Sequence, residues 1–485
     1  MSAHGSVVIG TGVNELVCAH YLARAGRRVL VLEQHTQPEG QAPGWVPPDI
    51  VRSLGLDQCG LQIERRDPWA AVPLAGGGRL ELWHDMARSV EAIGRLSAAD
   101  AAKWPAFCER MGRVVRLLEA LYTAAPPAPI NRERGELARL AALAWRARRL
   151  GRQTIEDFLR AAPMPVADLL EDWFENDALK AALGAAGIAH LCQGPRSGGT
   201  AFAFLHHHTG SALGVFRPPR SNIAHVLTAL PGVELRRSAA VARIAVREGR
   251  VTGVVLANGE EIATALVVSG ADPRRTLTQW VDGGWLDPEL ARAVRHIRSR
   301  GVVAQVILTL ARPPDFTTLT VASSLDAIER AYDDAKYGRV SRSPCLEVRN
   351  IGADAEGRHR VEVDIQYVPY ALADGAWDEA RGAALGELVL KLLAPHIPHL
   401  RGALIDQRVI SPRDLEAAYG YPKGQAHHAE LALDQALWMR PVAGLADHRT
   451  PVAGLYLCGP GTHPGAGIAG ASGVNAARRI LEDSR

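Results

Sequence analysis

Two glycine-rich stretches at opposite ends of the chain carry the residue types and spacing that bind phosphate-bearing ligands. Near the N-terminus, Gly10 and Gly12 follow one apolar run, and Glu33 closes the next. In such a loop the first glycine makes the tight turn, and the second lets the backbone approach a pyrophosphate. An acid about 20 residues further on accepts a hydrogen bond from a ribose hydroxyl. These residues therefore predict a dinucleotide-binding β-α-β unit.

Glu15 stands where such a loop usually has its third glycine. In one interpretation the acid lies in the first turn of the helix, where a carboxylate favours the helix dipole by a few tenths of a kcal/mol, up to about 1. In the other, the carboxylate faces the diphosphate, repels it and fills its space. The sequence leaves both interpretations open.

The C-terminal stretch is more specific, because glycines are concentrated between a short apolar run at 455–458 and a final helix. Gly467 and Ile468 are expected to open that helix, with free N–H groups pointing at an anion or at an electron-rich ring edge. So many glycines before a helix indicate a backbone that approaches a ligand closely. The glycines are Gly459, Gly461, Gly465, Gly467, Gly470 and Gly473.

The elements that must position these loops alternate in an α/β pattern. Hydrophobic periodicity predicts a helix-rich region over 86–221, and hairpin turns are predicted at Glu248-Gly249 and Asn258-Gly259. Further predicted strands are 6–10, 28–33, 233–235, 241–246, 251–256, 265–269, 302–310, 345–349, 360–367 and 455–458; further predicted helices are 13–25, 100–121, 131–149, 377–393 and a last one ending near 481.

Composition excludes several classes of protein. The chain has 485 residues, 47% apolar and 22% charged, and a net charge of +3 that is too small to indicate nucleic-acid binding. No apolar run approaches the roughly 20 residues that span a bilayer. The first strand begins so near Met1 that no signal peptide is expected, and the scattered cysteines indicate reduced, buried thiols in a cytoplasmic protein. The basic segment 131–149 fits a solvated outer helix or a helix that contacts a membrane surface.

Histidines are the remaining candidates for chemistry. His206, His207 and His208 are adjacent, so at most two could face one site in a strand, and no metal site is expected. His428 and His463 are weak candidates for catalysis, since a packed histidine would explain each of them equally well. The sequence assigns no catalytic residue.

The N-terminal loop, the C-terminal glycine-rich block and several stretches between them resemble the phytoene-desaturase-like flavoproteins. These belong to the wider family of carotenoid desaturases, retinol saturase and amine oxidases. The similarity covers nearly the whole chain, and the C-terminal block is its most specific part. It includes Gly194-Pro195-Arg196-Ser197, Leu205-His206-His207, the stretch 267–273, Tyr367-Val368-Pro369-Tyr370, the segment 428–435 with Arg440-Pro441, and the block from Cys458 to Asn475.

The resemblance implies a Rossmann-type FAD-binding domain of the glutathione-reductase kind, with an interleaved α+β substrate domain. The first would comprise 1–85, 222–275 and 440–485, and the second 86–221 and 276–439. Gly10, Gly12 and Glu33 would hold the ADP half, and the strand around Val241 would pass the adenine. The pyrophosphate, ribityl chain and flavin would lie against Gly459, Gly461, Gly467 and Ile468. The implied activity is oxidation or desaturation of a largely apolar small molecule.

Three departures from the family pattern favour an alternative. Glu15 replaces the third glycine, Glu39-Gly40 aligns with a glycine pair, and the loop that wraps the cofactor is cut to Pro43-Gly44-Trp45. A further departure lies near residue 218, where the family's glycine-rich P-x-G-G-M is Pro218-Pro219-Arg220-Ser221-Asn222-Ile223. GDP-dissociation inhibitors resemble this fold, carry G-T-G-x-x-E at the first loop and bind protein and lipid without flavin. The alternative is therefore a chain that has lost FAD and acts as a binding protein or as a redox-neutral enzyme.

Overall fold

The computed structural model describes residues 5–35, 42–126 and 134–484. The strands in this part of the chain are β1 (Ser6–Ile9), β2 (Val29–Leu32), β3 (Ala42–Pro43), β4 (Ile63–Glu64), β5 (Ala70–Pro73), β6 (Arg79–Leu82), β7 (Arg220–Ser221), β8 (Glu234–Arg236), β9 (Val241–Arg247), β10 (Arg250–Leu256), β11 (Glu261–Ala263), β12 (Val267–Ser269), β13 (Val303–Leu310), β14 (Thr318–Val321), β15 (Leu346–Ala353), β16 (His359–Gln366), β17 (Leu404–Ile410) and β18 (Leu455–Leu457).

The helices are α1 (Val13–Arg24), α2 (Pro48–Leu54), α3 (Met86–Gly94), α4 (Ala98–Tyr122), α5 (Arg134–Arg149), α6 (Arg152–Ala161), α7 (Val166–Glu171), α8 (Asp177–Gly187), α9 (Thr200–His207), α10 (Ile223–Ala229), α11 (Pro273–Arg275), α12 (Pro288–Arg295), α13 (Leu325–Lys336), α14 (Glu379–Leu393), α15 (Leu400–Ala403), α16 (Pro412–Tyr419) and α17 (Ala471–Asp483). Short helical turns lie at Thr276–Trp280, Gly283–Trp285, Pro422–Gly424, Leu433–Gln435 and Leu437–Met439.

The two glycine-rich ends meet in one parallel sheet, of strand order β18-β12-β1-β2-β8. Both faces of its inner strands are covered, which explains why β1, β2, β12 and β18 consist mostly of buried apolar residues. Val7 and Ile9 pack towards β10 and α12, whereas Val8 packs towards α1 and α17. The carboxyl ends of β1 and β12 therefore open at the same edge.

Helices α1 and α17 touch closely enough to require a glycine. A β-carbon on Gly473 would lie 3.0 Å from the Cys18 backbone nitrogen and still closer to the Asn14 carbonyl oxygen. The C-terminal helix is thus held against the helix that follows the first glycine loop.

A second, antiparallel sheet has the order β14-β15-β16-β13-β17. One face is apolar and packs on α14, with Val306, Leu308, Val361 and Val363 in that core. The opposite face carries polar side chains. A separate aromatic core joins α4 and α7–α9, with Trp104, Phe107, Phe174, Phe204 and Phe216 at its centre.

The sequence predictions of the α/β fold and of the main elements are confirmed, including the hairpin at Glu248-Gly249, where both residues have positive φ. One prediction about local structure is wrong. Helix α17 begins at Ala471 rather than at Gly467, because Gly467 and Gly470 have φ of +88° and +82°, outside the helical region. His206 and His207 end helix α9, within the region predicted to be rich in helices.

Packing bears on the expected domain division, which stays a prediction. Strands β5 and β6 share the aromatic core with α4, although they precede residue 86. Leu277, Val281 and Val294 pack into the core of the parallel sheet, although they follow residue 275. The core of the parallel sheet therefore includes residues just beyond the predicted domain boundary at residue 275.

The structure bears on two expectations drawn from composition, concerning membrane-spanning helices and buried cysteines. Among the described residues, no helix combines the length and the apolar character that crossing a bilayer requires. All the cysteines are free thiols; Cys18, Cys108, Cys345 and Cys458 are buried, but Cys59 is exposed, so the prediction of buried thiols is wrong there.

Candidate active site

One cavity of about 1570 Å³ connects the carboxyl edge of the parallel sheet with the polar face of the second sheet. Six of the predicted cofactor-binding residues line it. They are Gly10, Gly12, Glu33, Val241, Gly467 and Ile468.

At the nucleotide end, Glu33 is anchored to the first glycine loop. Its Oε2 accepts hydrogen bonds from the Thr11 backbone nitrogen at 3.0 Å and from the Thr11 hydroxyl at 2.5 Å, and Oε1 accepts from the His35 nitrogen at 2.8 Å. Gly10 has φ +103°, which favours glycine, and Gly12 precedes α1 as an N-cap residue that offers no side-chain hydrogen bond. The N–H groups of the first turn therefore lie at the cavity wall, where an anion would accept from them.

Glu15 points into this loop and lines the cavity. A β-carbon on Gly10 would lie 3.3 Å from Glu15 Cγ, and one on Gly12 would collide with Glu15 Oε2. The side chain is 4% exposed. Of the two interpretations left open by the sequence, the structure thus favours a carboxylate turned inward. Glu39 lies outside the described residues.

The shortened loop at Pro43-Gly44-Trp45 docks directly on the C-terminal glycines. The Trp45 nitrogen donates to the Gly467 carbonyl at 2.8 Å, and the Ala469 nitrogen donates to the Trp45 carbonyl at 2.7 Å. The indole packs so closely on Gly210, at φ +73°, that a β-carbon there would overlap the Trp45 ring. The short loop thereby fixes Gly467 and Ile468 at the cavity wall.

Gly459 and Gly461, also predicted to bind the cofactor, are not among the described residues that line the cavity. A β-carbon on Gly459 would collide with the Gly270 backbone, and one on Gly461 would lie 2.7 Å from Pro273 and 3.2 Å from His428. These two glycines permit close packing behind the wall. Their proposed role in binding stays a prediction.

The two histidines singled out from the sequence occupy different places. His428 lines the cavity, and burial lowers its pKa to about 3, with Arg440 and Arg275 lowering it further. His463 is fully buried outside the cavity lining, with Nε2 3.3 Å from the Leu121 carbonyl oxygen, and burial lowers its pKa to about 3 as well. Only His428 is placed to touch a ligand in this cavity.

Sequence reasoning considered His207 only as a metal ligand and missed that it lines the cavity together with His190 and His427. The rings of His190 and His427 are 4.4 Å apart, and those of His207 and His427 are 6.2 Å apart. Burial lowers the pKa of His207 to about 4 and lowers that of His427 well below its usual value. Burial also lowers the pKa of His190, while Asp364 opposes that shift. The adjacent pair His427-His428 was the available signal.

Arg440 holds this histidine group against the C-terminal loop. It is fully buried and donates to the carbonyl oxygens of Pro460 at 2.7 Å, His427 at 3.1 Å and Glu430 at 3.1 Å. Burial lowers its pKa to about 10, so it stays charged at neutral pH. The resemblance included Arg440 but implied no role for it. In the structure, its hydrogen bonds join two segments that line the cavity.

The polar face of the second sheet forms the far wall, which is built from ion pairs. Arg349 donates to Asp364 at 2.7 Å, and Arg217 donates to Glu347 at 2.5 Å. Gln305, opposite Asp364 in the register, donates to it at 3.0 Å. The apolar wall of the cavity consists of Ala182 and Ala185 of α8 together with Ile188, Val215 and Phe216. The chamber thus has one charged and one apolar side.

The residues at this site fit an FAD molecule. Glu33 and the open first turn of α1 suit a ribose and a diphosphate, and the cavity continues from there to Gly467. Among the described residues, buried polar atoms that line the cavity without a hydrogen-bond partner include Asn14 Oδ1, Asp272 Oδ1 and His207 Nε2. Within the part of the chain that the structure describes, the Glu15 carboxylate opposes the fit, because it points into the loop that would receive the diphosphate.

Comparison with known families and proteins agrees with this geometry. Residues 8–61 match the NAD(P)-binding Rossmann-like domain, and residues 56–481 match the flavin containing amine oxidoreductase family. The chain is 30% identical to pyridine nucleotide-disulfide oxidoreductase domain-containing protein 2 of Rattus norvegicus, over 99% of this chain and 94% of that protein. It is 25% identical to the lycopene-forming phytoene desaturase of Pseudescherichia vulneris, over 99% of both.

A solved structure shares the fold over nearly the full length. A triple mutant of putrescine oxidase superposes with a TM-score of 0.61 at 14% identity, covering 99% of this chain and 98% of the other. Members of the matched family are FAD-dependent oxidoreductases, and FAD is the cofactor that the family implies here. The chain belongs to the flavin containing amine oxidoreductase family.

Proposed function

We propose that this chain oxidises a C–H bond of a small organic molecule bound between the apolar wall and the second sheet. The observation that carries the proposal is the single cavity that runs from Glu33, past Gly467, to the histidine group. Ligand sites in folds of this kind are concave and largely preformed. FAD, when bound, supplies the acceptor for two electrons.

The apolar wall supports a substrate with a substantial apolar part. Ala182, Ala185 and Phe216 offer no hydrogen-bonding side chain, and burying an apolar surface against them contributes about 25 cal/mol per Å². This wall also excludes water from the reacting bond. The proposed substrate class is therefore an organic molecule with an apolar skeleton, as the sequence resemblance implied.

His207 is the proposed proton acceptor. Its lowered pKa keeps the imidazole neutral at pH 7, and Nε2 has no hydrogen-bond partner among the described residues. His427 and His190 continue from it towards Asp364, whose negative charge favours a proton on His190. A proton accepted at His207 could thus be stabilised further along the group, and the proposal assigns this role to all three histidines.

The alternative, a chain that has lost FAD and acts as a binding protein or a redox-neutral enzyme, rests on Glu15. Family membership supports the oxidoreductase over this alternative. The two hypotheses differ in one property, which is the presence of a bound flavin.

The experiment is anaerobic reduction of the purified holoprotein by candidate substrates, followed through the flavin absorbance. The proposal expects substrate-dependent bleaching that slows at least about 100-fold in His207→Gln, the scale of general acid–base catalysis. His225→Gln, at an exposed histidine, is the matched control. Bleaching at an unchanged rate in His207→Gln would contradict the role of this residue.

A further inference from the structure

Tyr122, at the end of α4, and His206, near the end of α9, meet behind the C-terminal glycine loop. Both side chains are buried, and neither residue lines the cavity. The Tyr122 hydroxyl oxygen lies 2.7 Å from His206 Nδ1, and His206 Nε2 lies 2.7 Å from the Ala466 carbonyl oxygen. A continuous row of hydrogen bonds therefore runs from α4 to the loop at 465–467.

The groups at the ends of this row fix the direction of both hydrogen bonds. A carbonyl oxygen only accepts, so His206 Nε2 carries the proton that is donated to Ala466. Burial lowers the pKa of His206 well below its usual value, so the ring is neutral and Nδ1 carries no proton. Nδ1 accordingly accepts from the Tyr122 hydroxyl, and the tyrosine selects the histidine tautomer that can hold Ala466.

The hydrogen bond to Ala466 orients one peptide group of the loop. The bond between Ala466 and Gly467 is trans, so its carbonyl oxygen and its N–H point in opposite directions. The carbonyl is turned towards His206, which lies outside the cavity lining, whereas Ala466 and Gly467 both line the cavity. The Gly467 N–H therefore faces the cavity.

The Gly467 N–H is a free donor among groups that are otherwise held in place. It has no hydrogen-bond acceptor among the described residues, although the Gly467 carbonyl accepts from the Trp45 nitrogen and the Ala469 nitrogen donates to the Trp45 carbonyl. A β-carbon on Gly467 would lie 3.7 Å from His206 Nε2 and 3.8 Å from His207 Nδ1. The peptide thus packs on two imidazole rings and offers its N–H to a ligand.

Two further contacts tie the end of α4 to the same C-terminal region. His463 Nε2 lies 3.3 Å from the Leu121 carbonyl oxygen, and Asn475 Nδ2 donates to the Tyr122 carbonyl oxygen at 3.3 Å. The backbone of Tyr122 is therefore anchored next to the loop that its hydroxyl group influences through His206. Supporting contacts of this kind determine how accurately a binding group is placed.

We infer that Tyr122 and His206 are positioning residues that keep the Gly467 N–H turned towards the flavin. The inference rests on the proposed function, because it concerns the cofactor of the same site. Reduction makes a bound flavin more electron-rich, so a fixed N–H donor at its edge favours the reduced form. Both residues act through the Ala466–Gly467 peptide and have no direct contact with the cavity.

The test is a redox titration of the FAD-loaded protein, which measures the midpoint potential of the flavin without turnover. Tyr122→Phe removes only a hydroxyl group, so both tautomers of His206 become accessible and Ala466 loses its donor for part of the time. The ratio of affinities for reduced and oxidised flavin should fall about three- to tenfold, which lowers the two-electron potential by about 15 to 30 mV.

Two substitutions of His206 test the same contact from its other side. His206→Leu removes the donor to Ala466 and should lower the potential at least as far as Tyr122→Phe does. His206→Gln keeps an N–H at a similar reach and should restore a potential close to that of wild type. Rescue by glutamine would show that the donor, rather than the imidazole ring, matters.

Tyr367→Phe is the matched control. Its hydroxyl group is attached to an equally buried ring and donates to the Gln193 carbonyl oxygen at 2.7 Å. Tyr367 packs in a separate core, with Ile328 and Cys345. This variant should lose a similar amount of stability and leave the flavin potential unchanged, which separates positioning from a general loss of stability.

Hydrogen–deuterium exchange of the flavin-free protein adds a measurement that does not depend on FAD. The Ala469 N–H is protected by the Trp45 carbonyl in wild type. Amides within 463–471 should exchange about three- to tenfold faster in Tyr122→Phe, and at the wild-type rate in Tyr367→Phe. This comparison keeps the test decisive if a variant binds FAD too weakly for a titration.

Three results would overturn the inference. The potential or the exchange rates of Tyr122→Phe could equal those of wild type, or Tyr367→Phe could shift the potential equally. Tyr122→Phe could also lose FAD affinity at an unchanged potential, which would assign the Gly467 N–H to another part of the cofactor. A failure of the proposed function is distinguishable, because it shows as a wild-type protein that contains no flavin and binds none.

Discussion

The carboxylate of Glu15 fills the space beside Gly270 that a β-carbon on that glycine would need. Glu15 lies in the first turn of α1, after the loop that leaves β1, and Gly270 directly follows the neighbouring strand β12. An acid at the start of the helix and a glycine at the end of the next strand are therefore fitted to each other. The position of the Glu15 carboxylate beside Gly270 determines the volume available to a bound diphosphate and the negative electrostatic potential around it.

Removing Glu15 should strengthen FAD binding. A like-charge contact at a few ångströms costs about 1 to 4 kcal/mol at effective dielectrics of 80 to 20, so Glu15→Gly should lower the Kd for FAD at least about fivefold. Titration of flavin fluorescence measures the change. Glu15→Gln separates the effect of the charge from that of the side-chain volume, because it removes the negative charge and keeps most of the volume. A weaker FAD affinity in Glu15→Gly would show that the carboxylate contributes to binding.

Gly270→Ala should destabilise the fold, and the loss should depend on Glu15. The added methyl group would overlap the Glu15 side chain, and overpacking of this kind costs about 1–3 kcal/mol. Chemical denaturation of the two single variants and the double variant tests the coupling. In the Glu15→Gly background, Gly270→Ala should cost little. Equal destabilisation in both backgrounds would contradict the observed contact.

The buried histidines should make stability fall in mild acid. The pKa of His207 is lowered from 6.5 to about 4, so between these values the unfolded chain binds a proton that the folded chain excludes. Its contribution to stability is present above pH 6.5 and is lost as the pH falls towards 4, at up to about 1.4 kcal/mol per pKa unit. His206, His427 and His428 shift in the same direction.

Unfolding free energies measured between pH 4 and 7.5 check this dependence. His207→Gln should flatten the slope relative to wild type, and His225→Gln, at an exposed position, should leave it unchanged. A wild-type slope no steeper in this range than that of His207→Gln would contradict neutral burial of the His207 ring.

We propose that helix α5 contacts an anionic membrane surface, the less favoured of the two interpretations of this basic segment. Its Leu137 and Trp145 are half exposed, at 52% and 55%, and Arg149 lies 3.8 Å from the Trp145 ring centroid. Co-sedimentation with vesicles containing phosphatidylserine should bring down wild type and release it at high salt. Trp145→Ala should reduce the bound fraction, whereas Trp285→Ala, at another partly exposed indole, should not. Equal sedimentation with neutral vesicles would contradict the proposal.

The predictions that were confirmed rested on local sequence patterns. The β-α-β unit from Ser6 to Leu32 has a period and a glycine loop that are complete within about 30 residues, the usual length of such a unit. The strand at 455–457 was equally local. These elements could be predicted without knowing which distant residues they contact.

The candidate site depended on pairings that no local pattern contains. Gln305 and Asp364 meet only because β13 and β16 align in one register. Trp45 reaches Gly467 across almost the whole chain, and that contact places the C-terminal loop. The direction of the Glu15 side chain was likewise open, since a helix start permits it to face solvent or the loop.

The most direct test of the central claim is the visible absorption spectrum of the purified protein, with mass spectrometry of any cofactor released on denaturation. The account predicts an oxidised flavin spectrum and release of FAD, or binding of added FAD in the micromolar range or tighter. A colourless protein that also fails to bind added FAD would contradict it, and would leave Glu15 as the residue that closed the site.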